Sequence, residues 1–130
     1  MDSIQLEKYF SASAQTVYNS WLRTDGHSKM TGGEAQSEPI EGSEYMAWDN
    51  YIFGKHLELK PYAFIKQTWR STEFNDNDQD SIVEIRLEDT DKGCKMVLKH
   101  FNIPSGQGKR YESGWVDHYF SPMDKYFGTI

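Results

Sequence analysis

The sequence predicts an α+β fold in which a curved antiparallel sheet holds one long C-terminal helix across its concave face. Between residues 34 and 101, apolar and polar residues alternate in short runs that are separated by turn-forming residues. These runs are too closely spaced for the crossover helices that parallel strands require. Near the C-terminus, aromatic residues instead recur at close to every fourth position, which is typical of a helix with one buried face.

The length and composition predict a single domain over residues 1–130. A chain of this size buries about two-thirds of its unfolded surface without help from disulfides or metals. Aromatic residues make up 15% of the sequence and hydrophobic residues 37%, so Phe, Tyr and Trp must build much of the core.

The charge and the cysteine content restrict the partners and the compartment. A formal net charge of −6 opposes binding to the phosphates of nucleic acids and to anionic membranes. Cys94 is the only cysteine, so a reducing compartment costs the protein nothing. The N-terminus lacks the basic start and apolar run of a signal peptide, and no window approaches the roughly 20 apolar residues of a membrane span. We therefore expect a cytoplasmic protein that binds neither nucleic acid nor membrane.

The N-terminal part predicts a strand followed by two short helical segments. Apolar and polar residues alternate over residues 4–10, as in a strand with one solvated face. Ser13 is suited to cap a helix. The apolar residues after it recur at three- and four-residue steps and are Ala14, Val17, Tyr18 and Trp21. We expect Asp25-Gly26 to break this helix and residues 27–30 to form another turn.

The middle of the chain predicts a meander of antiparallel strands. The best-defined strands cover residues 45–48, 51–59, 63–71, 81–88 and 94–101. Turn-formers such as Pro, Asn, Asp and Gly separate them. We expect about six strands after the two helical segments.

The C-terminal part predicts one long amphipathic helix after a loop at residues 102–108. Its apolar face consists of Tyr111, Trp115, Tyr119, Met123 and Phe127. An interior proline removes a hydrogen bond, so Pro122 is expected to kink or break this helix. Alternatively, Ser121 caps a new helix that has Pro122 at its first position. A long aromatic face is buried most readily across the concave side of a curved sheet, and this is the helix-grip arrangement.

Several motifs appear in an order that resembles a known family. Near the C-terminus they are Ile103-Pro104, Gly114-Trp115, Tyr119-Phe120 and Phe127-Gly128. Upstream they are Trp21 in the first helix, Met30-Thr31-Gly32, Tyr51-Ile52-Phe53-Gly54 and the segment IKQTWR at residues 65–70. In order and spacing these motifs resemble the domain found in activators of the heat-shock protein 90 ATPase. The likeness spans nearly the whole chain.

This resemblance implies the fold more directly than the function. The family lies within a START-related superfamily of helix-grip domains (START/Bet v 1-like, also called SRPBCC), which includes lipid carriers, plant hormone and allergen proteins, and polyketide cyclases. It implies a chaperone of the heat-shock protein 90 type as a partner, with a place in the stress response. Eukaryotic co-chaperones that resemble this domain carry a separate N-terminal domain, and 130 residues leave no space for one. We therefore expect a stand-alone relative.

The residues that commonly bind metals or act as nucleophiles predict neither kind of site. The four histidines are His27, His56, His100 and His118. None of them pairs with another ligand at i, i+4 spacing, and His-x-His and Cys-x-x-Cys motifs do not occur. Cys94 and His100 would lie about 20 Å apart on one strand, too far for a thiolate–imidazole pair. We therefore predict no metal, no cofactor and no catalytic residue.

An acidic run near the first hairpin consists of Glu34, Glu38, Glu41 and Glu44. Such a run is most simply a solvated face, and docking of a partner protein is the alternative. Exposed strand edges beside this hairpin would also allow two copies to pair. We therefore expect a monomer or a weak homodimer.

The many large rings between the sheet and the helix predict a groove, because bulky flat side chains leave a cleft as readily as a filled core. The candidate ligand-binding residues are Trp48, Tyr51, Phe53, Trp69, His100, Tyr111, Trp115 and His118. Among them, His100 either points into the groove or is a core histidine whose hydrogen bonds are satisfied within the protein.

The function that follows is a non-enzymatic binding module for a small hydrophobic or amphipathic ligand in the groove beneath the C-terminal helix. The first alternative is an interaction protein related to activators of the heat-shock protein 90 ATPase. The second is an enzyme of cyclase or hydrolase type that uses His100, Tyr111 or His118 together with an acid.

Overall fold

A six-stranded antiparallel sheet is the frame of the computed structural model, which describes residues 1–128. The strands are β1 (Asp2–Phe10), β2 (Glu44–Ala47), β3 (Ile52–Lys60), β4 (Phe64–Ser71), β5 (Ser81–Thr90) and β6 (Gly93–Ile103). Their order is β1-β6-β5-β4-β3-β2, so β1 joins the far edge of the meander by pairing with β6. The predicted antiparallel sheet is confirmed, with strand ends shifted by one or two residues. Five strands, rather than about six, follow the helices.

Two short helices, α1 (Ala14–Leu22) and α2 (Thr24–Thr31), connect β1 to β2. The predicted cap is present, because the backbone N–H of Thr16 donates to Ser13 Oγ at 3.1 Å. All four members of the predicted apolar stripe on α1 are buried. The stripe therefore packs α1 against the sheet, as its spacing indicates.

The break between the two helices lies at Arg23 and not at Asp25-Gly26. Arg23 has an extended backbone, with φ −109° and ψ 144°, whereas Asp25 and Gly26 belong to the first turn of α2. A Cβ atom on Gly26 would lie only 2.6 Å from the Cα atom of Ser20. This glycine therefore permits close packing of α2 on α1 and does not end a helix.

The C-terminal helix consists of α3 (Gly108–Trp115), a π-helical segment (Val116–Phe120) and α4 (Ser121–Phe127). It neither breaks nor restarts at Pro122, because Phe120 and Ser121 both keep right-handed helical dihedral angles. The N–H of Ser121 bonds to the carbonyl of Val116, five residues back. The expected break is thus wrong, and the helix instead changes its hydrogen-bond register immediately before the proline.

The core lies between the concave face of the sheet and the helices. Ile65, Ile85 and Leu98 are cross-strand neighbours on β4, β5 and β6, and all three side chains are fully buried. From the other side, the helices contribute Leu22, Met30 and Met123, which are also almost completely buried. The order of elements, the sheet and the position of the helix are those of the predicted helix-grip fold.

The N-terminal strand also holds the start of α3. The Oδ2 atom of Asp2 accepts hydrogen bonds from the backbone N–H groups of Gly106, at 3.0 Å, and Gly108, at 2.9 Å. A Cβ atom on Gly108 would lie 2.8 Å from the Cβ of Asp2, so glycine allows this close approach. One carboxylate therefore satisfies the N–H of Gly108, which the helix start leaves without a partner, and that of Gly106 in the loop before it.

We predict that Asp2→Ala lowers the free energy of unfolding by about 1–2 kcal/mol, because both charge-assisted hydrogen bonds are lost. Urea unfolding followed by circular dichroism measures this change. Ser3→Ala, at the exposed neighbouring position, serves as the control and should change stability little. Equal stability of the two variants would contradict a capping role for Asp2.

Candidate functional site

A cavity of about 450 Å³ opens between the C-terminal helix and the tip of the β2–β3 hairpin. Its sheet side is formed by Trp48, Tyr51, Ile52 and Trp69. Its helix side includes Arg110, Tyr111, Gly114, Trp115, Asp117 and His118. The volume falls within the range of roughly 300–1,000 Å³ that is usual for small-molecule sites.

Six of the eight residues expected to bind a ligand line this cavity. They are Trp48, Tyr51, Trp69, Tyr111, Trp115 and His118. Phe53 does not line it, because side chains alternate along β3 and the adjacent Ile52 points inward. Phe53 is instead 40% exposed and lies beside Met46 and Arg70 on the neighbouring strands.

His100 does not reach the cavity either and is a core histidine with both ring nitrogens bonded. Its Nε2 lies 2.8 Å from Ser81 Oγ, and that hydroxyl donates to the carbonyl of Trp69 at 2.8 Å. Trp115 Nε1 donates to His100 Nδ1 at 3.0 Å. Because Nδ1 accepts, the proton must be on Nε2, and the imidazole is neutral. His100 therefore orients two indoles that do line the cavity.

At the floor of the cavity, the polar atoms of Tyr111 and Trp115 form hydrogen bonds within the protein. Tyr111 donates its hydroxyl proton to Gln107 Oε1 at 2.6 Å and lies 2.6 Å from Ser71 Oγ. The N–H of Trp115 is already given to His100. What these two residues present to a ligand is therefore ring surface and not hydrogen-bonding capacity.

The helix side contains a gap at Gly114. A Cβ atom at this position would have no atom within 4 Å, so close packing does not require glycine here. Glycine inside a helix is less favourable than alanine by about 1 kcal/mol. Its effect on the structure is to leave the cavity open beside Trp115.

The mouth of the cavity is bounded by Trp48 and His118, whose rings meet edge to face at 5.4 Å. Trp48, Asp49 and Asn50 all have positive φ, at 51°, 56° and 71°. This conformation is unfavourable for bulky residues. A Cβ atom on Gly33 would lie 2.5 Å from the Trp48 ring, so glycine makes room for the indole. The Trp48 N–H is buried and has no hydrogen-bond partner among residues 1–128.

Two opposite charges lie along the helix side of the mouth. Arg110 Nη1 is 3.2 Å from Glu73 Oε2, in an ion pair that is about half exposed. Asp117, seven residues further along the helix, makes no ion pair within residues 1–128. The negative charge of Asp117 therefore has no partner of opposite charge, whereas the positive charge of Arg110 is paired with Glu73.

Sequence reasoning missed half of the residues that line the cavity. The six that were not among the predicted ligand-binding residues are Ile52, Arg110, Ser113, Gly114, Asp117 and Tyr119. A usable signal existed, because positions 110, 114 and 117 recur at the steps of one helix face beside the predicted Trp115. Because ligand-binding residues were predicted from their aromatic type, the other residues on this face were left out.

The part of the chain that the structure describes contains no group of three His, Cys, Asp or Glu side chains arranged to hold a metal ion. Within the same residues, no helix is long and apolar enough to cross a membrane.

Comparisons with known proteins are consistent with this fold. The model of the family described as Activator of Hsp90 ATPase homolog 1-like protein matches residues 11–128. No curated protein matches the sequence. An HSP90 activator from Plasmodium falciparum has a similar structure, with a TM-score of 0.86 at 19% sequence identity, and the match covers 98% of this chain and 97% of that chain.

Two further solved structures are similar. The Aha1 dimer from Colwellia psychrerythraea has a TM-score of 0.80 at 16% identity, with 98% of each chain covered. CalU16 from Micromonospora echinospora has a TM-score of 0.80 at 18% identity, covering 96% of this chain and 75% of that chain. At these identities the likeness supports a common fold.

Three buried histidines predict how stability depends on pH. Burial lowers the pKa of His27 and of His56 to about 4 and that of His100 to about 3. In the unfolded chain, histidine binds its proton near pH 6.5. Unfolding therefore takes up protons below about pH 6.5, and stability that is complete above this pH is lost as the pH falls.

Between pH 7 and pH 5 we expect the free energy of unfolding to fall by about 2 kcal/mol for each buried histidine. Urea unfolding at pH 7, 6 and 5 measures this loss. His56→Gln should reduce the number of protons taken up on unfolding by about one, so stability should fall less steeply as the pH is lowered. A free energy of unfolding that stays constant between pH 7 and pH 5 would rule out neutral buried histidines.

Proposed function

The chain belongs to the family of Activator of Hsp90 ATPase homolog 1-like proteins, and we propose that within this family it is a non-enzymatic binding module. The ligand is a small hydrophobic or amphipathic molecule that occupies the groove between the C-terminal helix and the β2–β3 hairpin. Trp48, Tyr51, Trp69, Tyr111 and Trp115 supply the ring surfaces that contact it.

The observation that carries this proposal is the gap at Gly114. A core that only needed to be filled would be better served by a larger residue, since space is free at this Cβ position and alanine stabilises a helix. Glycine instead leaves one wall of the cavity without a side chain, next to the rings of Trp69 and Trp115. An open, largely apolar cavity with few polar groups at its mouth is the usual form of a small-molecule site.

The arrangement of polar groups favours binding over catalysis. Both ring nitrogens of His100 and the hydroxyl of Tyr111 already have partners within the protein. His118 and Asp117 lie at the exposed mouth and not in the enclosed interior, where proton transfer to a bound substrate would be most effective. A cyclase- or hydrolase-type reaction therefore has less support than ligand binding.

A second candidate function is a co-chaperone-like interaction with a chaperone of the heat-shock protein 90 type. It is favoured by the description of the matching family and by the likeness to an HSP90 activator. The four glutamates of the acidic run are all exposed and offer a surface for a partner. A cytoplasmic location agrees with this candidate function, because the single cysteine forms no disulfide within the chain and a reducing compartment costs the fold nothing.

A weak homodimer is the further assembly that we propose, since one similar structure is a dimer. The outer edge of β2 is partly covered, because Gln36 forms a two-way backbone bridge with Met46. The opposite edge of the sheet, β1, is the longer free edge and the better candidate for pairing.

Filling the gap at Gly114 should block the groove without harming the fold. We predict that Gly114→Leu weakens binding of the neutral fluorescent probe N-phenyl-1-naphthylamine by at least about tenfold, because the added side chain occupies the cavity. The same change should raise the free energy of unfolding by about 0.5–1 kcal/mol, since leucine favours the helix more than glycine does. Fluorescence titration and urea unfolding measure the two effects.

The matched control is Val116→Leu, which enlarges an exposed residue of the same helix outside the cavity. It should bind the probe like the unchanged protein. If the unchanged protein does not bind the probe, or if Gly114→Leu binds it equally well, the groove is not a ligand site.

For the co-chaperone alternative, the expected result is a several-fold increase in the ATPase rate of a chaperone of the heat-shock protein 90 type from the same cell when the purified chain is added. Gly114→Leu should still stimulate the ATPase if the partner binds the surface, and should fail to do so if the groove itself is used. An unchanged ATPase rate, together with the absence of a complex in size-exclusion chromatography, would exclude this function.

A further inference from the structure

We propose that the ligand of this groove is an amphipathic cation: a flat apolar body that lies over Gly114, with a positively charged nitrogen at the Asp117 end of the mouth. This inference rests on the proposed binding function and specifies the chemical class of the ligand. The observations that carry it are the unequal charges at the two ends of the mouth, the Trp48 ring beside the neighbour of Asp117, and the gap in the helix wall.

The charges along the helix distinguish the two ends of the groove. Arg110 and Asp117 are seven residues apart, or about 10 Å along a helix. Glu73 already compensates Arg110 at 3.2 Å, so an anionic ligand would have to compete with a carboxylate of the protein. Asp117 has no cationic partner within residues 1–128, and a ligand cation would supply one. The formal net charge of −6 adds a general attraction for cations.

The indole at this end of the groove suits a cation as well. Trp48 lines the cavity, and its ring meets that of His118, the neighbour of Asp117, edge to face at 5.4 Å. The face of an indole or phenol ring attracts a positive charge within about 6 Å, and tryptophan does so most strongly. A quaternary ammonium group is weakly enough hydrated to leave water for such a site, as aromatic cages for these groups demonstrate.

The interior of the groove suits the apolar part of such a molecule. The rings of Trp69 and Trp115 lie 6.0 Å apart and tilted by 44°, and both line the cavity. Their neighbour Gly114 leaves the space beside them open. A flat ring system can therefore contact ring surfaces at the floor while its charged end remains at the mouth, where Asp117 is exposed.

Three probes with the same ring test the charge preference. They are (2-naphthylmethyl)trimethylammonium, 2-naphthylmethanol and 2-naphthylacetate, titrated by calorimetry at pH 8, where an imidazole carries little charge. We expect the ammonium compound to bind at least about fivefold tighter than the alcohol, and the acetate to bind more weakly than the alcohol.

Two matched variants identify the residue responsible. Asp117→Asn should bring the affinity for the ammonium compound to within about twofold of that for the alcohol, and leave the affinity for the alcohol unchanged. Arg110→Gln removes the positive charge at the other end and leaves Glu73 without its partner, so the preference for the cation should not fall. Both residues are exposed, so circular dichroism should show an unchanged fold.

The outcomes separate this inference from the proposed function. Equal affinities for the three probes, tighter binding of the acetate, or an unchanged preference in Asp117→Asn would overturn the cationic ligand while the binding module stands. If the unchanged protein binds none of the three probes, the binding function fails, and the inference fails with it.

Discussion

Trp115 joins the C-terminal helix to the rest of the molecule, and its indole N–H donates to His100 of β6 at 3.0 Å. Its ring stacks on Trp21 of α1 at 6.1 Å and contacts Tyr119 one turn later at 4.8 Å. Trp21 is in turn bonded to Gln67 of β4 at 3.1 Å. A buried indole requires a partner for its N–H, so the helix can dock only where His100 meets it. The same ring forms a wall of the cavity, so the groove and the core share one anchor.

The π-helical segment lies between two contacts of the C-terminal helix with the rest of the molecule, one made by Trp115 and one by Tyr119. One turn after Trp115, Tyr119 bonds His27 of α2 at 2.8 Å, and the adjacent Phe120 is buried as well. A π-turn bonds each N–H five residues back and not four, so it shifts the residues that follow it relative to the face that carries Trp115. Within this segment Tyr119 and Phe120 are buried, whereas Asp117 and His118 lie at the mouth. The segment also ends where Pro122 has no N–H to donate, so the altered register costs the helix little.

The sheet and the helical stripes could be predicted from the sequence because burial of one face makes apolar residues recur at a fixed spacing. One exceptional residue does not remove this pattern. The predicted site was less complete for a physical reason: side-chain type does not determine which way a residue faces. Phe53 is aromatic yet points outward, and its aliphatic neighbour Ile52 lines the cavity. The capping of Gly106 and Gly108 by Asp2 joins residues that are more than 100 positions apart. Such a contact has no local pattern, and the same holds for the pairing of His100 with Trp115.

The floor and the mouth of the groove differ in whether their hydrogen-bonding groups have partners within the protein. At the floor, the N–H of Trp115 and the hydroxyl of Tyr111 are bonded within the protein, so the floor accepts any ring that fits. At the mouth, Trp48 adopts an unfavourable backbone conformation and buries an N–H that has no partner within residues 1–128. A buried donor without a partner costs roughly 1–3 kcal/mol, which a ligand or a shift of the indole can recover. For the proposed ligand, binding energy would therefore come from the floor, whereas discrimination between ligands would depend on Trp48 and the charge of Asp117 at the mouth.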